Sequence, residues 1–181
     1  GISGIFRADG EPVPHELVDA MIATLKHRGP DGEGRYFAPG LAFGHTRLAI
    51  IDLSEASDQP FIDEAAGLAL SFNGEIYNYL ELRAELQGRG HAFRSSGDTE
   101  VVLRAFEEWG TDSFRRLNGM FAFAIWDTRK RVLTLARDRL GEKPLYYGWQ
   151  GTGRAAVFLF GSELKALRAH PAFGAHINRD A

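Results

Sequence analysis

Short runs of apolar and β-branched residues recur along most of the chain, and turn residues separate them, which is typical of β-strands. This pattern predicts eight strands, at residues 2–7, 41–45, 47–51, 68–73, 121–126, 132–137, 145–149 and 156–160. The polar residues 127–130 and 150–154 each lie between two of these strands, so each segment predicts a hairpin turn.

Four other segments carry apolar residues at the spacing of one buried helical face. They predict helices at residues 14–26, 77–87, 98–109 and 162–169. Asp98 or Thr99 is placed to cap the third of these helices. Many strands joined by hairpins, together with a few helices, indicate the α+β class.

Composition narrows the classes of function. The chain has 181 residues, of which 44% are hydrophobic and 25% charged, as expected for one globular domain. The 21 basic and 24 acidic residues give a net charge of −3, which does not favour nucleic acid or an anionic membrane as a partner. Because the sequence contains no cysteine, disulfides and thiolate metal sites are excluded, and the six histidines lack zinc-motif spacing. We therefore expect no metal and no membrane span in this domain, and a cytoplasmic location.

Three polar positions each allow a structural and a chemical interpretation. Asn73-Gly74 at the end of a predicted strand indicates a turn, but an amide and a backbone N–H can also bind an oxyanion. Arg47 is either a solvated strand end or a two-point contact for a carboxylate. Asp98 is either a helix cap or the partner of a substrate ammonium group.

Five motifs decide between these interpretations. They are His-Arg-Gly-Pro-Asp-Gly at 27–32, His-Thr-Arg-Leu-Ala-Ile-Ile-Asp at 45–52, Asn-Gly-Glu-Ile-Tyr-Asn at 73–78, Ser-Gly-Asp-Thr-Glu at 96–100 and Asp-Arg-Leu-Gly-Glu-Lys-Pro-Leu at 138–145. With the opening Gly-Ile-Ser-Gly-Ile-Phe, they resemble the glutamine-hydrolysing domain of class II glutamine amidotransferases, especially that of asparagine synthetases. The resemblance implies the four-layer αββα sandwich of N-terminal-nucleophile hydrolases.

The resemblance also implies roles for individual residues. The Asn73 amide and the Gly74 N–H form the oxyanion hole. Arg47 binds the α-carboxylate of L-glutamine, and Asp98 binds its α-ammonium group, with Glu75 contributing to that charge. The wall behind the substrate consists of Leu48, Ala49, Ile50 and Ile51. Residues 27–32 form a turn at the pocket mouth, and residues 138–145 serve as scaffold or face a second domain.

The family's nucleophile is a cysteine at the start of the mature chain, followed by Gly-Ile-x-Gly. A cysteine directly before Gly1 completes this pattern, and its free amine serves as the base. Taking Ser3 as the nucleophile instead would place Arg7 where the family has a glycine. We therefore expect a cysteine immediately before Gly1 and no activity in the chain as written. A second interpretation is a naturally nucleophile-free regulatory or interaction domain, but the retained pocket residues favour the first.

The resemblance implies that residues 1–170 are the glutamine amidotransferase domain and that residues 171–181 begin a linker to a synthetase domain. In the family, ammonia from glutamine passes to that second domain, where ATP and magnesium activate aspartate; this domain itself needs no cofactor. L-glutamine and the chain's own synthetase domain are the expected partners. The ammonia acceptor remains open, since related domains serve sugar phosphates, phosphoribosyl groups and peptide or antibiotic precursors, and a homodimer is also left open.

Overall fold

The computed structural model describes residues 1–52 and 54–175, which form two antiparallel sheets between two pairs of helices. The strands of this described part are β1 Ile2–Arg7, β2 Gly32–Ala38, β3 Leu41–Arg47, β4 Phe61–Asp63, β5 Leu68–Ile76, β6 Gly119–Asp127, β7 Val132–Arg137, β8 Tyr146–Gln150 and β9 Val157–Gly161. The helices are α1 His15–Ala23, α2 Tyr79–Gly88, α3 Asp98–Trp109 and α4 Leu164–Arg168. The first sheet has the order β2-β3-β1-β9-β8 and the second the order β4-β5-β6-β7.

Strand β6 shows why the sequence folds into four layers. Its residues alternate between Phe121, Phe123 and Ile125, which pack among the helices α2 and α3, and Ala122, Ala124 and Trp126, which pack between the sheets. Both faces of such a strand are buried, because successive side chains point to opposite sides of a sheet. A separate apolar cluster joins α1 and α4 to the outer face of the first sheet. The predicted α+β class and αββα layering are therefore confirmed.

Most predicted elements are confirmed, with corrected ends. The helix predicted at 14–26 ends at Ala23 and continues as a turn into a 3₁₀ segment, Lys26–Arg28. The helix predicted at 162–169 is limited to Leu164–Arg168. The β6–β7 and β8–β9 hairpins form as expected.

The strand predicted at 47–51 is wrong. Arg47 is the last residue of β3, and the residues after it form a loop. The backbone of this loop bonds to a side chain instead of a neighbouring strand, because the Ala49 N–H donates to Asp31 Oδ2 at 2.9 Å. The structure adds β2 and β4, which the sequence pattern did not predict. Within the described residues, no helix has the length and apolar character needed to cross a membrane.

Candidate active site

A cavity of about 380 Å³ opens where β1 begins and β3 ends. Gly1 lies in its wall, together with parts of β5, the loop after β3 and the start of α3. The cavity brings together every residue that the sequence analysis assigned to a site: Arg47, Leu48, Ala49, Ile50, Ile51, Asn73, Gly74, Glu75 and Asp98.

Strand β5 presents its backbone to this cavity because β4 is shorter than β5. The Phe72 N–H donates to Gln59 Oε1 at 2.6 Å, and the Ile76 N–H donates to Asp98 Oδ2 at 2.9 Å, whereas the Tyr77 N–H points to the β6 side. Backbone groups alternate in direction along a strand, so the Gly74 N–H points the same way as those of Phe72 and Ile76. It is therefore directed toward the cavity side of β5, as an oxyanion donor requires.

The Asn73 side chain lies on the inner face of β5. The even-numbered residues Phe72 and Ile76 of β5 pack among the helices. Because side chains alternate between the two faces of a strand, the side chain of Asn73 faces the first sheet. The Asn73 Nδ2 atom is buried and has no hydrogen-bond partner within the described residues. A buried amide donor without a hydrogen-bond acceptor destabilises the fold, unless a bound group supplies the acceptor. The alternative interpretation of Asn73-Gly74 as a turn is wrong, because both residues lie inside β5.

Arg47 is held at the end of β3 by three oxygen atoms. Its Nη1 lies 2.5 Å from Asp58 Oδ1, and its Nη2 donates to the backbone oxygens of Asp52 at 2.5 Å and Ser54 at 3.1 Å. The ion pair with Asp58 shows that this guanidinium already binds a carboxylate. Its side chain is mostly buried, whereas that of Asp58 is exposed, and Arg47 lines the cavity.

Asp98 begins α3 but does not cap it, because Gly97 is the N-cap residue. The Asp98 carboxylate instead faces β5, where it accepts from the Ile76 N–H. Burial raises the pKa of Asp98 to about 6, against the lowering effect of its backbone hydrogen bonds. A cation beside such a buried carboxylate stabilises its ionised form. An ammonium group in the cavity would supply this charge.

His45 connects the two sheets beside these residues. Its Nε2 lies 3.1 Å from the Phe72 carbonyl oxygen, and because a carbonyl only accepts, Nε2 carries the hydrogen. Burial is the main cause that lowers the pKa of His45 to about 3, so the ring is neutral at pH 7. His45 thus links β3, which carries Arg47, to β5, which carries Asn73.

The start of β1 lies in a positive environment. The Gly1 amine donates to the Thr46 backbone oxygen at 2.7 Å, and burial, then the charges of Arg28 and Lys143, lower the pKa of this amine to about 5. Arg28 is itself oriented by Glu163, whose Oε1 lies 2.9 Å from its Nη1. Ser3 is fully buried inside β1 and does not line the cavity, as expected for a structural residue.

Comparison with known proteins identifies the family of this chain. The glutamine amidotransferase domain family matches residues 1–181, which is the whole chain. The chain belongs to this family.

Relatives of this glutamine amidotransferase domain are longer proteins. Asparagine synthetase (glutamine-hydrolyzing) 3 of Bacillus subtilis is 44% identical over 166 residues, covering 91% of this chain and 26% of that protein. Putative asparagine synthetase (glutamine-hydrolyzing) 2 of Methanocaldococcus jannaschii is 39% identical over 201 positions, covering 100% of this chain and 38% of that protein. The chain therefore spans well under half the length of these relatives.

A solved structure shows the same fold. Glutamine phosphoribosylpyrophosphate amidotransferase from B. subtilis, complexed with ADP and GMP, matches with a TM-score of 0.73 at 24% identity. The match covers 93% of this amidotransferase domain and 43% of that chain. The two proteins therefore share this fold although their sequences differ at most positions.

Sequence reasoning missed several residues of this amidotransferase site. His45 and Lys143 line the cavity, whereas the sequence gives no site role to His45 and predicts a scaffold or interdomain role for residues 138–145. Arg28 and His27 also line it, so the first two residues of the 27–32 motif lie at the cavity. The motifs contained all four residues, but only the tertiary contacts show what their side chains approach.

Proposed function

We propose that this domain hydrolyses L-glutamine to glutamate and ammonia. The observation that carries the proposal is a single cavity lined by Arg47, which pairs with a carboxylate, by the buried Asp98 carboxylate, and by Asn73, whose buried amide nitrogen has no partner within the described residues. Arg47 and Asp98 together fit the zwitterionic end of an amino acid. Asn73 and Gly74 then face the side-chain amide.

The nucleophile in this proposal is a cysteine attached to the Gly1 nitrogen. Its thiolate attacks the side-chain amide carbon of glutamine, and the oxyanion hole stabilises the tetrahedral intermediate. Proton transfer to the amide nitrogen releases ammonia and leaves a γ-glutamyl thioester, which water hydrolyses to glutamate and the free thiol. The positive charges of Arg28 and Lys143 near Gly1 favour the thiolate form of such a cysteine.

The proposed use of the ammonia is asparagine synthesis by a second domain with ATP and magnesium. The names and lengths of the two relatives support this use, because the present chain corresponds to 26% and 38% of them. Residues 171–181 begin the linker in this proposal, although residues 176–181 lie outside the described part. The cytoplasmic location stays a prediction, and a homodimer stays open.

Replacing Arg47 tests the proposed site through binding alone. We expect the chain as written to bind glutamine weakly, and Arg47→Ala to weaken binding by about 100-fold, because a charged two-point contact is lost. Arg47→Lys keeps the charge but not the planar geometry, so we expect a loss of about tenfold. Titration calorimetry with L-glutamine measures all three affinities.

Arg35→Ala is the matched control for this measurement. Arg35 also lies on a strand of the same sheet and forms ion pairs, with Asp19 and Glu33, but it is not in the cavity wall. Its replacement should leave glutamine binding unchanged. Equal affinities with and without the Arg47 guanidinium would refute the proposed carboxylate site.

The raised pKa of Asp98 predicts how glutamine binding depends on pH. The ammonium group requires the ionised carboxylate, and the Asp98 carboxyl gains its proton as the pH falls through about 6. Affinity should therefore fall about tenfold from pH 7 to pH 5, since the ionised fraction falls by that factor. Asp98→Asn should bind weakly at both pH values, and an unchanged slope in this variant would contradict the assignment.

A further inference from the structure

Asp52 lies outside the proposed chemistry, yet it touches both ends of the substrate-binding region. Its backbone oxygen accepts from Arg47 Nη2 at 2.5 Å. Its carboxylate oxygen Oδ2 accepts from both the N–H and the Oγ of Ser96, each at 2.8 Å, two residues before Asp98. One residue therefore connects the arginine at the end of β3 to the peptide that leads into α3.

The two carboxylate oxygens of Asp52 form hydrogen bonds with different segments of the chain. Oδ1 accepts from the Ser54 N–H at 2.9 Å and the Ser54 Oγ at 2.7 Å, which closes a local turn in its own loop. That turn needs only one oxygen. The second oxygen reaches across 44 residues of sequence to Ser96, so the local turn does not account for it.

The two segments are also packed closely. A Cβ atom added at Gly97 would lie 3.3 Å from Asp52 Cβ and 3.2 Å from Ser57 Oγ, so the absence of a side chain there allows the approach. Hydrogen bonds from Ser54 and then Ser96 hold the pKa of Asp52 well below its usual range. The bridging group is therefore a carboxylate across the whole neutral and mildly acidic range.

We propose that Asp52 is a positioning residue that fixes the separation between Arg47 and Asp98, and so makes the site selective for ligands that carry both an α-carboxylate and an α-ammonium group. This inference rests on the proposed function, because it takes Arg47 and Asp98 as the two charges that bind glutamine. A ligand with both groups benefits from two contacts only if their spacing is preset. A ligand with one group needs only one of the contacts.

The test compares three ligands by calorimetry: L-glutamine, glutaramate, which lacks the α-ammonium, and L-glutamine α-amide, which lacks the α-carboxylate. We expect the protein as written to bind each analogue about 10- to 100-fold more weakly than glutamine. In Asp52→Ala, glutamine affinity should fall about tenfold while the analogues change less than about twofold, so that selectivity decreases. Ser96→Ala removes only the hydroxyl contact and should shift selectivity in the same direction by about threefold.

Asp31→Ala is the matched control. Asp31 Oδ2 also holds the loop after β3, through the Ala49 N–H, but it does not contact Ser96. A general loosening of this loop should weaken all three ligands by the same factor. If Asp52→Ala or Ser96→Ala gives such a uniform loss, or leaves selectivity intact, the bridging role is wrong. If glutamine binding does not depend on Arg47, the proposed function fails instead, so the two failures are distinguishable.

Discussion

Adding one cysteine directly before Gly1 is expected to give the chain glutaminase activity, which we predict to be absent without it. The reason is geometric: Gly1, Asn73 and Gly74 line the same cavity, so we expect a residue attached to the Gly1 nitrogen to reach the space that the oxyanion donors face. We expect the rate of glutamate release to rise by about 10³-fold or more, since removal of a catalytic nucleophile typically costs at least this much. An enzymatic assay for glutamate measures both forms.

An alanine placed at the same position is the control for this experiment. It extends the chain equally and changes the Gly1 amine to an amide in the same way, but it supplies no thiol. Activity should appear with cysteine only. If the cysteine form remains inactive while Arg47 still governs glutamine binding, the domain binds glutamine without hydrolysing it, and the regulatory interpretation is favoured.

The second large effect is expected from Asn73→Ala in the cysteine-extended form. The Nδ2 atom of Asn73 is buried without a partner within the described residues, and it faces the sheet that begins at Gly1. Loss of one oxyanion donor should lower kcat by about 10²- to 10³-fold, because the donor acts on charge that develops in the transition state. KM should change little, since Arg47 and Asp98 provide the binding. Steady-state kinetics separates the two parameters.

Asn78 offers a matched control from the same motif. Its side chain donates to the Arg116 backbone oxygen at 2.9 Å and accepts from the Asn118 N–H at 2.9 Å, and it does not line the cavity. Asn78→Ala should lower the free energy of unfolding while kcat stays near its original value. A similar drop in kcat for both variants would show that the Asn73 effect is structural rather than catalytic.

The sequence predicted the elements whose apolar faces are long and regular. Strands β5 and β6 and helix α3 belong to this group, because both faces of the strands and one face of the helix are buried. Strand β4 has three residues, too few for an alternating pattern, and β2 contains glycines and charged residues at a half-exposed edge. These two strands are defined by their pairing partners rather than by their own sequence.

In the loop after β3, the sequence predicted a strand where the structure has none. Leu48, Ile50 and Ile51 are as apolar as a buried strand, yet all three are exposed, at 56%, 59% and 39%. A pattern cannot distinguish apolar residues that pack in a core from those that line a cavity. The motifs did predict which residues share the cavity, but the contacts of His45 and Asp52 join segments far apart in sequence and required the structure.

The short strand β4 has a consequence for insertions and deletions in this part of the chain. Strand β4 begins at Phe61, opposite Leu70, and two residues earlier the Gln59 side chain, rather than a strand backbone, accepts from the Phe72 N–H. Continuing β4 by two more pairs beyond Leu70 would place backbone opposite Phe72, and a longer extension would take up the Gly74 N–H. The segment before Phe61 therefore leaves the β5 edge open beyond Phe72. Because Ser57 and Gln59 of this segment line the cavity, a change of chain length there is expected to alter glutamine binding directly.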